Sequence, residues 1–159
     1  MPLKKLPWQI VGEDTMKFQI LEQGDQNTFA IIFDKGDEFI AGLTSLAKEK
    51  ALRASHFTGI GAFREVVLGY FDRDKKDYRK ISLREQVEVL SLVGDIVLKD
   101  GAPQVHAHVV VGKSDGTAHG GHLLEAHVWP TLEVILTESP KHLCRKIDAE
   151  TGLALIDLS

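Results

Sequence analysis

Three histidines, His106, His108 and His122, have residue types and spacing that suit a metal site. His106 and His108 are two positions apart in a strand-like segment, and alternate residues of a β-strand point to the same face of a sheet. His122 follows an Asp-Gly turn that could return the chain beside the first two. Neutral imidazole is the commonest protein ligand for zinc, and three imidazoles leave one coordination position open for water or a substrate group.

The length of the turn decides whether the three imidazoles meet. A two-residue loop at Asp115-Gly116 places His122 and His108 on opposite faces, because a slip of one residue turns every side chain over. A three-residue loop, which adds Ser114, places His108 directly across from His122, with His106 on the diagonal. The three rings therefore converge only in the register of the longer loop, or if an irregularity corrects the register of the shorter one.

The residues of the turn favour the three-residue loop. In this loop Lys113 pairs with Thr117, and the last loop residue normally has a positive φ. Gly116 occupies that position, and glycine adopts positive φ without steric cost. A β-bulge at Gly120-Gly121 is the alternative that would correct the register of the shorter loop.

The other four histidines are not expected to bind metal. His119 has the opposite strand parity from His122, so its side chain is predicted to point to the other face of the hairpin. His56, His127 and His142 are isolated in the sequence, and isolated histidines are usually surface or hydrogen-bonded groups.

Length and composition predict one globular domain spanning residues 1–159. A chain of this size buries about two thirds of its unfolded surface. The formal net charge of −4 argues against indiscriminate binding to nucleic acid.

The single cysteine and the hydropathy pattern suggest a compartment. Cys144 is the only cysteine, which excludes an internal disulfide and suits a reducing environment, and we expect it to be a small buried residue. The N-terminal residues lack the apolar run of a signal peptide, and no stretch is long enough for a membrane span. We therefore expect a cytoplasmic protein without membrane contact.

Apolar alternation predicts a sheet preceded by one helix. The helix is predicted to start at Asp37, with apolar residues at helical spacing up to Ala47. The predicted strands cover residues 16–21, 28–33, 53–63, 66–71, 78–83, 87–98, 104–113, 117–124 and 132–137, with a last hairpin over 145–148 and 153–158. One helix and a mostly antiparallel sheet make the predicted fold class α+β.

Two other features have structural rather than functional interpretations. Gly59 and Gly61 are predicted to mark a bend or a close backbone approach, because no helix-opening G-x-G-x-x-G is present. One cluster mixes basic and acidic residues and lacks the aromatic residues of a single-strand-binding platform, so we interpret it as a solvated hairpin connection. Its basic members are Arg73, Lys75, Lys76, Arg79, Lys80 and Arg84.

An ordered set of short motifs resembles the PPC domain, the plant and prokaryote conserved domain. The motifs are GIGAF (59–63), EVLSLVG (88–94), HAH (106–108), DG (115–116), GGHL (120–123), TLEV (131–134) and TGL (151–153). The resemblance covers about residues 16–155. It implies an α+β fold with a central, mainly antiparallel sheet, assembly as a homotrimer, and a zinc site on His106, His108 and His122.

The resemblance also raises DNA binding. Stand-alone prokaryotic members are commonly labelled DNA-binding by analogy with plant members that carry an AT-hook. This chain has no Arg-Gly-Arg-Pro hook, and its acidic balance gives it little with which to displace phosphate counterions. DNA, or a regulatory complex, is therefore a possible partner with little support from the residues.

Three functions follow as hypotheses. The first is a cytoplasmic, trimeric protein that binds one divalent metal, zinc by preference, with Glu133 as a candidate acceptor for an imidazole N–H. The second is a zinc-dependent enzyme such as a hydrolase, with Glu88, Glu125 and Glu133 as candidate bases. The third is a nucleic-acid or regulatory-complex component, whose binding would weaken steeply with added salt.

Overall fold

The computed structural model describes residues 8–10 and 16–158. Within them the chain forms ten strands and one helix. In chain order these are β1 (Gln9–Ile10), β2 (Lys17–Glu22), β3 (Asn27–Phe33), α1 (Phe39–Glu49), β4 (Ala54–Asp72), β5 (Asp77–Leu83), β6 (Val87–Lys99), β7 (Ala102–Gly112), β8 (Ala118–Glu138), β9 (Cys144–Ile147) and β10 (Ala154–Asp157).

The strands form one sheet in the order β1-β2-β3-β8-β4-β6-β9-β10. Strand β5 pairs with β4, and β7 pairs with both β6 and β8, so that β4, β6, β7 and β8 are linked in a closed circuit. Every described pairing between strands is antiparallel except the short contact of β6 with β9. The predicted α+β class with a mostly antiparallel sheet is confirmed.

Helix α1 covers the sheet with an apolar stripe. Its N-cap is Glu38, whose carboxylate accepts a hydrogen bond from the Ala41 backbone N–H at 2.6 Å. The predicted start at Asp37 is two residues before the first helical residue, Phe39. The Asp37 carboxylate instead accepts a hydrogen bond from the Asp34 N–H in the preceding turn. Phe39, at the start of the stripe, packs against the rings of neighbouring core phenylalanines, Phe33 and Phe57.

The segments predicted as separate strands over 53–63 and 66–71 are one continuous strand, β4. Its register against β6 shifts between Gly59 and Gly61, which confirms the predicted bend. Gly61 has a φ of 149°, and a Cβ atom there would lie 2.3 Å from the backbone oxygen of Thr131. The glycine permits β4 to approach β8 closely while the strand changes direction.

We expect Gly61→Ala to destabilise the protein by at least about 2 kcal/mol, because the added methyl group meets backbone and the φ is unfavourable for alanine. Urea denaturation followed by circular dichroism measures this loss. Gly24→Ala is the matched control: a Cβ at Gly24 meets nothing within 4 Å, so its effect should stay within about 0.5 kcal/mol. Equal effects of the two substitutions would contradict the close approach at Gly61.

The predicted burial of Cys144 is wrong, because its side chain is exposed. Strand β9 alternates in such a way that the next residue, Arg145, occupies the buried position. The carboxylate of Asp95, on β6, makes this possible, because a buried arginine requires a nearby carboxylate. The smaller, less polar side chain therefore faces solvent.

Five of the six basic residues of the cluster lie in the exposed turn between β4 and β5 or in the first half of β5, as predicted, and Arg84 follows the end of β5. The side chains of Arg73 and Lys75 are 90% and 80% exposed, and their nearest acidic groups are Asp74 and Asp72, in the same turn. These local pairs reduce the positive charge that the turn presents to solvent. In residues 8–10 and 16–158, no helix has the length and apolar character needed to cross a lipid bilayer.

Candidate metal centre

The β7–β8 hairpin has the register of the three-residue loop. His108 pairs directly with His122. The Lys113 N–H donates to the Thr117 carbonyl oxygen at 2.9 Å, and Gly116 has a φ of 82°. The prediction made from the turn residues is confirmed. The pairing of β7 with β8 shows no bulge at Gly120-Gly121.

This register brings the three imidazoles together. The ring centroids of His106 lie 5.1 Å from those of both His108 and His122, and His108 and His122 are 5.3 Å apart. One nitrogen from each ring can be chosen so that all three lie within 4.8 Å of one another. The three histidines could therefore hold a metal ion.

The environment lowers the pKa of two of these imidazoles, His122 and His108. Burial, and then the neighbouring His106 and His108, lower the pKa of His122 to about 4. Burial also lowers the pKa of His108. The ring of Tyr78, on β5, stacks on His122 at a centroid distance of 4.6 Å and shields it from solvent. A neutral imidazole has a free nitrogen lone pair at physiological pH, which is the form that binds metal.

The carboxylate of Asp95 and the guanidinium of Arg145 lie next to the His106 ring. Asp95, on β6, is directly opposite His106, and its Oδ2 lies 3.8 Å from the His106 Nδ1. Arg145 donates from Nη2 to Asp95 Oδ1 at 2.5 Å, and the same nitrogen lies 3.3 Å from His106 Nδ1. Burial raises the pKa of Asp95, but its contacts with His106 and Arg145 outweigh this and leave the pKa below its usual value. Asp95 is therefore an ionised group that can orient His106.

Glu133, the candidate acceptor for an imidazole N–H, lies outside the histidine cluster. Glu133 pairs with Ile32 and Ile60 and lines a separate apolar cavity. Neither of these strand partners belongs to the histidine cluster. Asp95 was missed because it is one of two acidic residues in the apolar run of 87–98, and nothing local distinguishes it from Glu88.

The remaining candidate bases also lie elsewhere. Glu125 is exposed and contacts His127 at 3.0 Å, and Glu88 is exposed opposite Gly112. Within the described part of the chain, neither has a recorded contact with the three imidazoles. Asp95, in contrast, lies beside one member of the cluster, His106.

The other histidines lie outside the cluster. His119 pairs with Val111, and its strand parity places it on the face opposite His122. His56 and His142 are exposed, and His127 contacts a carboxylate on its own strand. Among the described residues, the one group of histidine, cysteine and acidic side chains close enough to share an ion is that of His106, His108 and His122.

Solved structures of similar fold cover nearly the whole chain. A plant- and prokaryote-conserved protein from Pyrococcus horikoshii is 33% identical, with a TM-score of 0.78 over 88% of this chain and 94% of its own. A metal-containing protein from Archaeoglobus fulgidus is 36% identical, with a TM-score of 0.76 over 90% and 98%. A protein from Bacteroides thetaiotaomicron described as a "putative DNA-binding protein" is 28% identical, with a TM-score of 0.81 over 88% and 96%.

Sequence comparisons agree with the structural ones. The bifunctional protein GlmU from Synechococcus sp. (strain JA-3-3Ab) is 27% identical over 154 residues, and the chain spans about a quarter (24%) of the length of that curated relative. The model of the Plants and Prokaryotes Conserved (PCC) domain, the domain abbreviated PPC above, matches residues 21–140. The chain therefore belongs to the plants and prokaryotes conserved domain family.

Proposed function

We propose that this protein binds one divalent metal ion, zinc by preference, through His106, His108 and His122. The observation that carries the proposal is the convergence of three imidazoles on one hairpin, with nitrogens within 4.8 Å. The metal-containing relative from Archaeoglobus fulgidus gives independent support. The free thiol of Cys144 suits the reducing environment of the cytoplasm, where we propose that the protein acts.

The donor set fits zinc. Nitrogens that bind zinc at 2.0–2.1 Å with tetrahedral geometry are about 3.3 Å apart, so modest rotations of the rings would suffice. Three nitrogen ligands favour zinc and related ions over magnesium or calcium, which prefer oxygen. The bound ion would supply a Lewis-acid centre with one position open. The residues of this chain position the rings. Asp95 contributes to this because its carboxylate lies beside the His106 ring.

Elemental analysis of the purified protein, combined with calorimetric titration of zinc into EDTA-treated protein, tests the proposal. We expect one zinc per chain. His142→Ala, at an exposed position outside the cluster, should bind the same amount. Stoichiometric zinc that persists in a protein lacking all three cluster histidines would contradict the assignment.

The position of Asp95 leads to a separate prediction. We expect Asp95→Asn to weaken zinc binding by about 10- to 100-fold, which is the usual effect of removing a carboxylate that orients a histidine ligand. Glu133→Gln is the matched control and should leave zinc affinity unchanged, since it lines another cavity. The melting temperatures of the metal-free variants show whether a loss of zinc affinity comes from a misoriented His106 or from a destabilised fold. The reverse order of effects would restore Glu133 to the role first predicted for it.

We propose further that the protein is a homotrimer, as the family resemblance implies. An exposed apolar patch supports an interface: Ile60 and Leu90 are 62% and 57% exposed, and Val93 and Ile135 are each 48% exposed. All four line the same cavity. A contiguous apolar surface of this kind is typical of a protein contact.

Light scattering tests the assembly. We expect about three times the chain mass of 17.6 kDa. Leu90→Lys should shift this mass toward a single chain, whereas Leu21→Lys, at a 50% exposed position outside the patch, should not. A mass of one chain at every concentration would exclude the trimer.

DNA binding is the second candidate, favoured by the description of the Bacteroides relative. It requires the basic residues of β5 and its flanks, where Arg79 and Lys80 are exposed. If it occurs, duplex binding should fall steeply with salt and on neutralising Arg79, Lys80 and Arg84. Binding that is undetectable near physiological salt would remove this candidate and leave the metal proposal intact.

A further inference from the structure

A cavity adjoins the cluster on the side of the β9–β10 hairpin. It has a volume of about 510 Å³ and is bordered by His106 and His122 at one wall. Arg145 lies in the same lining, together with apolar residues of the last hairpin such as Leu153 and Leu155. A metal ion held by the three histidines would occupy only one edge of this space.

Three residues of the lining each carry a buried polar atom that the protein does not satisfy. In the described part of the chain, three buried side-chain atoms have no hydrogen-bond partner: Gln104 Oε1, His122 Nδ1 and Arg145 Nε. All three residues line this cavity. Unpaired buried polar atoms cost free energy and are rare in native proteins, so their concentration in one cavity indicates a site that a ligand completes.

Arg145 is the centre of this arrangement. Its side chain is only 7% exposed. Nη1 donates to the Ala154 carbonyl oxygen at 3.2 Å and Nη2 donates to Asp95, so both terminal nitrogens are held in place. The Nε–H is the donor left over, on a guanidinium whose position is already fixed. A planar guanidinium of this kind suits a carboxylate oxygen.

The charge and polarity of the lining select the class of ligand. Arg145 and Lys99 are positive and Asp95 is negative, which leaves one net positive charge before any metal is counted. This balance favours an anionic ligand over a neutral or cationic one. Apolar side chains form much of the remaining wall and suit a short hydrocarbon group: Val105, Ile147, Leu153, Leu155 and Ile156.

We propose that this cavity binds a small organic carboxylate with a short branched aliphatic chain. Its head contacts the Arg145 Nε–H, and its chain packs against Val105, Leu153 and Leu155. The proposal deepens the proposed function and rests on it in one respect, since it places the carboxylate next to the open position of the metal at the histidines. The contacts of the ligand with Arg145 and with the apolar wall do not depend on the metal.

The probe is isovalerate, and its neutral amide isovaleramide is the matched compound of almost equal shape. NMR titrations of the full-length protein, both zinc-loaded and EDTA-treated, measure the two affinities. We expect isovalerate to bind the zinc-loaded protein at least about tenfold more tightly than isovaleramide. Arg145→Met should reduce isovalerate affinity by at least about tenfold, and Arg73→Met, at a 90% exposed side chain, should leave it unchanged. Equal affinities for acid and amide would overturn the proposal.

A second variant guards against misfolding, because Arg145 also holds the last hairpin to β6. Leu153→Ala should weaken isovalerate binding by several-fold while leaving acetate binding unchanged, since acetate lacks the chain that contacts Leu153. An unchanged ratio of the two affinities would overturn the apolar half of the site.

The two proposals fail separately. If zinc binds but isovalerate binds neither form, the carboxylate site is excluded and the metal site stands. If zinc does not bind but metal-free protein still selects isovalerate over its amide through Arg145, the metal proposal fails and the carboxylate site stands.

Discussion

Replacing His122 with alanine should lower the affinity for zinc by at least about a hundredfold. Removing a group that merely orients a ligand costs 10- to 100-fold, so removing one of three ligands should cost more. His122 is the only one of the three from β8, and its loss leaves two histidines from a single strand. Competition with a chromophoric zinc chelator measures the change.

His119→Ala is the control for that result. It changes the same residue type in the same strand, three positions away, but on the opposite face of the hairpin. Its zinc affinity should stay within about twofold of the unsubstituted protein. If both variants lose affinity equally, the effect is a general loosening of the hairpin, and the assignment of His122 as a ligand is wrong.

Removing zinc should lower the melting temperature by about 8–16 °C. A ligand present at about 1,000 times its dissociation constant stabilises the folded state by about 4 kcal/mol. For a domain of this size each kcal/mol corresponds to about 2–4 °C. The coupling arises because the ligands come from two strands, β7 and β8, that meet only in the folded chain.

Calorimetry of zinc-loaded and EDTA-treated protein checks this prediction. His108→Ala in the absence of metal should melt near the EDTA-treated protein, and zinc should raise its melting temperature by only a small fraction of the full shift. His56→Ala, at another exposed position, should keep the full shift. Zinc-dependent stabilisation that survives in His108→Ala would place the ion elsewhere.

The geometry of the site could be predicted where it depends on neighbouring residues. The His108–His122 pairing follows from a turn of three residues that ends in Gly116, and both the parity and the φ preference are local properties. The helix start could be predicted within two residues for the same reason, since capping depends on the first turn alone.

The contacts behind the histidines could not be predicted, because they depend on pairings between distant segments. Asp95 reaches His106 through the register of β6 on β7, and Arg145 reaches Asp95 because β9 lies beside β6. Residue preferences even pointed the wrong way at β9, where they favoured burying Cys144 and exposing Arg145. The ion pair of Arg145 with Asp95 reverses that preference, and no local sequence pattern predicts this ion pair.

The boundaries of the long strands show a similar limit. Gly59 and Gly61 indicate a bend, and the polar pair Arg64-Glu65 separates the two apolar segments that are predicted as separate strands. In the fold these glycines bend β4 without interrupting it, because β8 approaches closely enough to continue the pairing on both sides. A sequence pattern indicates the bend, whereas continuity across it depends on the partner strand.

A crystal structure of the zinc-loaded protein, with anomalous diffraction recorded on both sides of the zinc absorption edge, tests the central claim most directly. We expect one anomalous peak per chain, within about 2.0–2.1 Å of one nitrogen from each of His106, His108 and His122. A peak bound by other side chains, or fully loaded protein in which these three rings contact no ion, would contradict the claim.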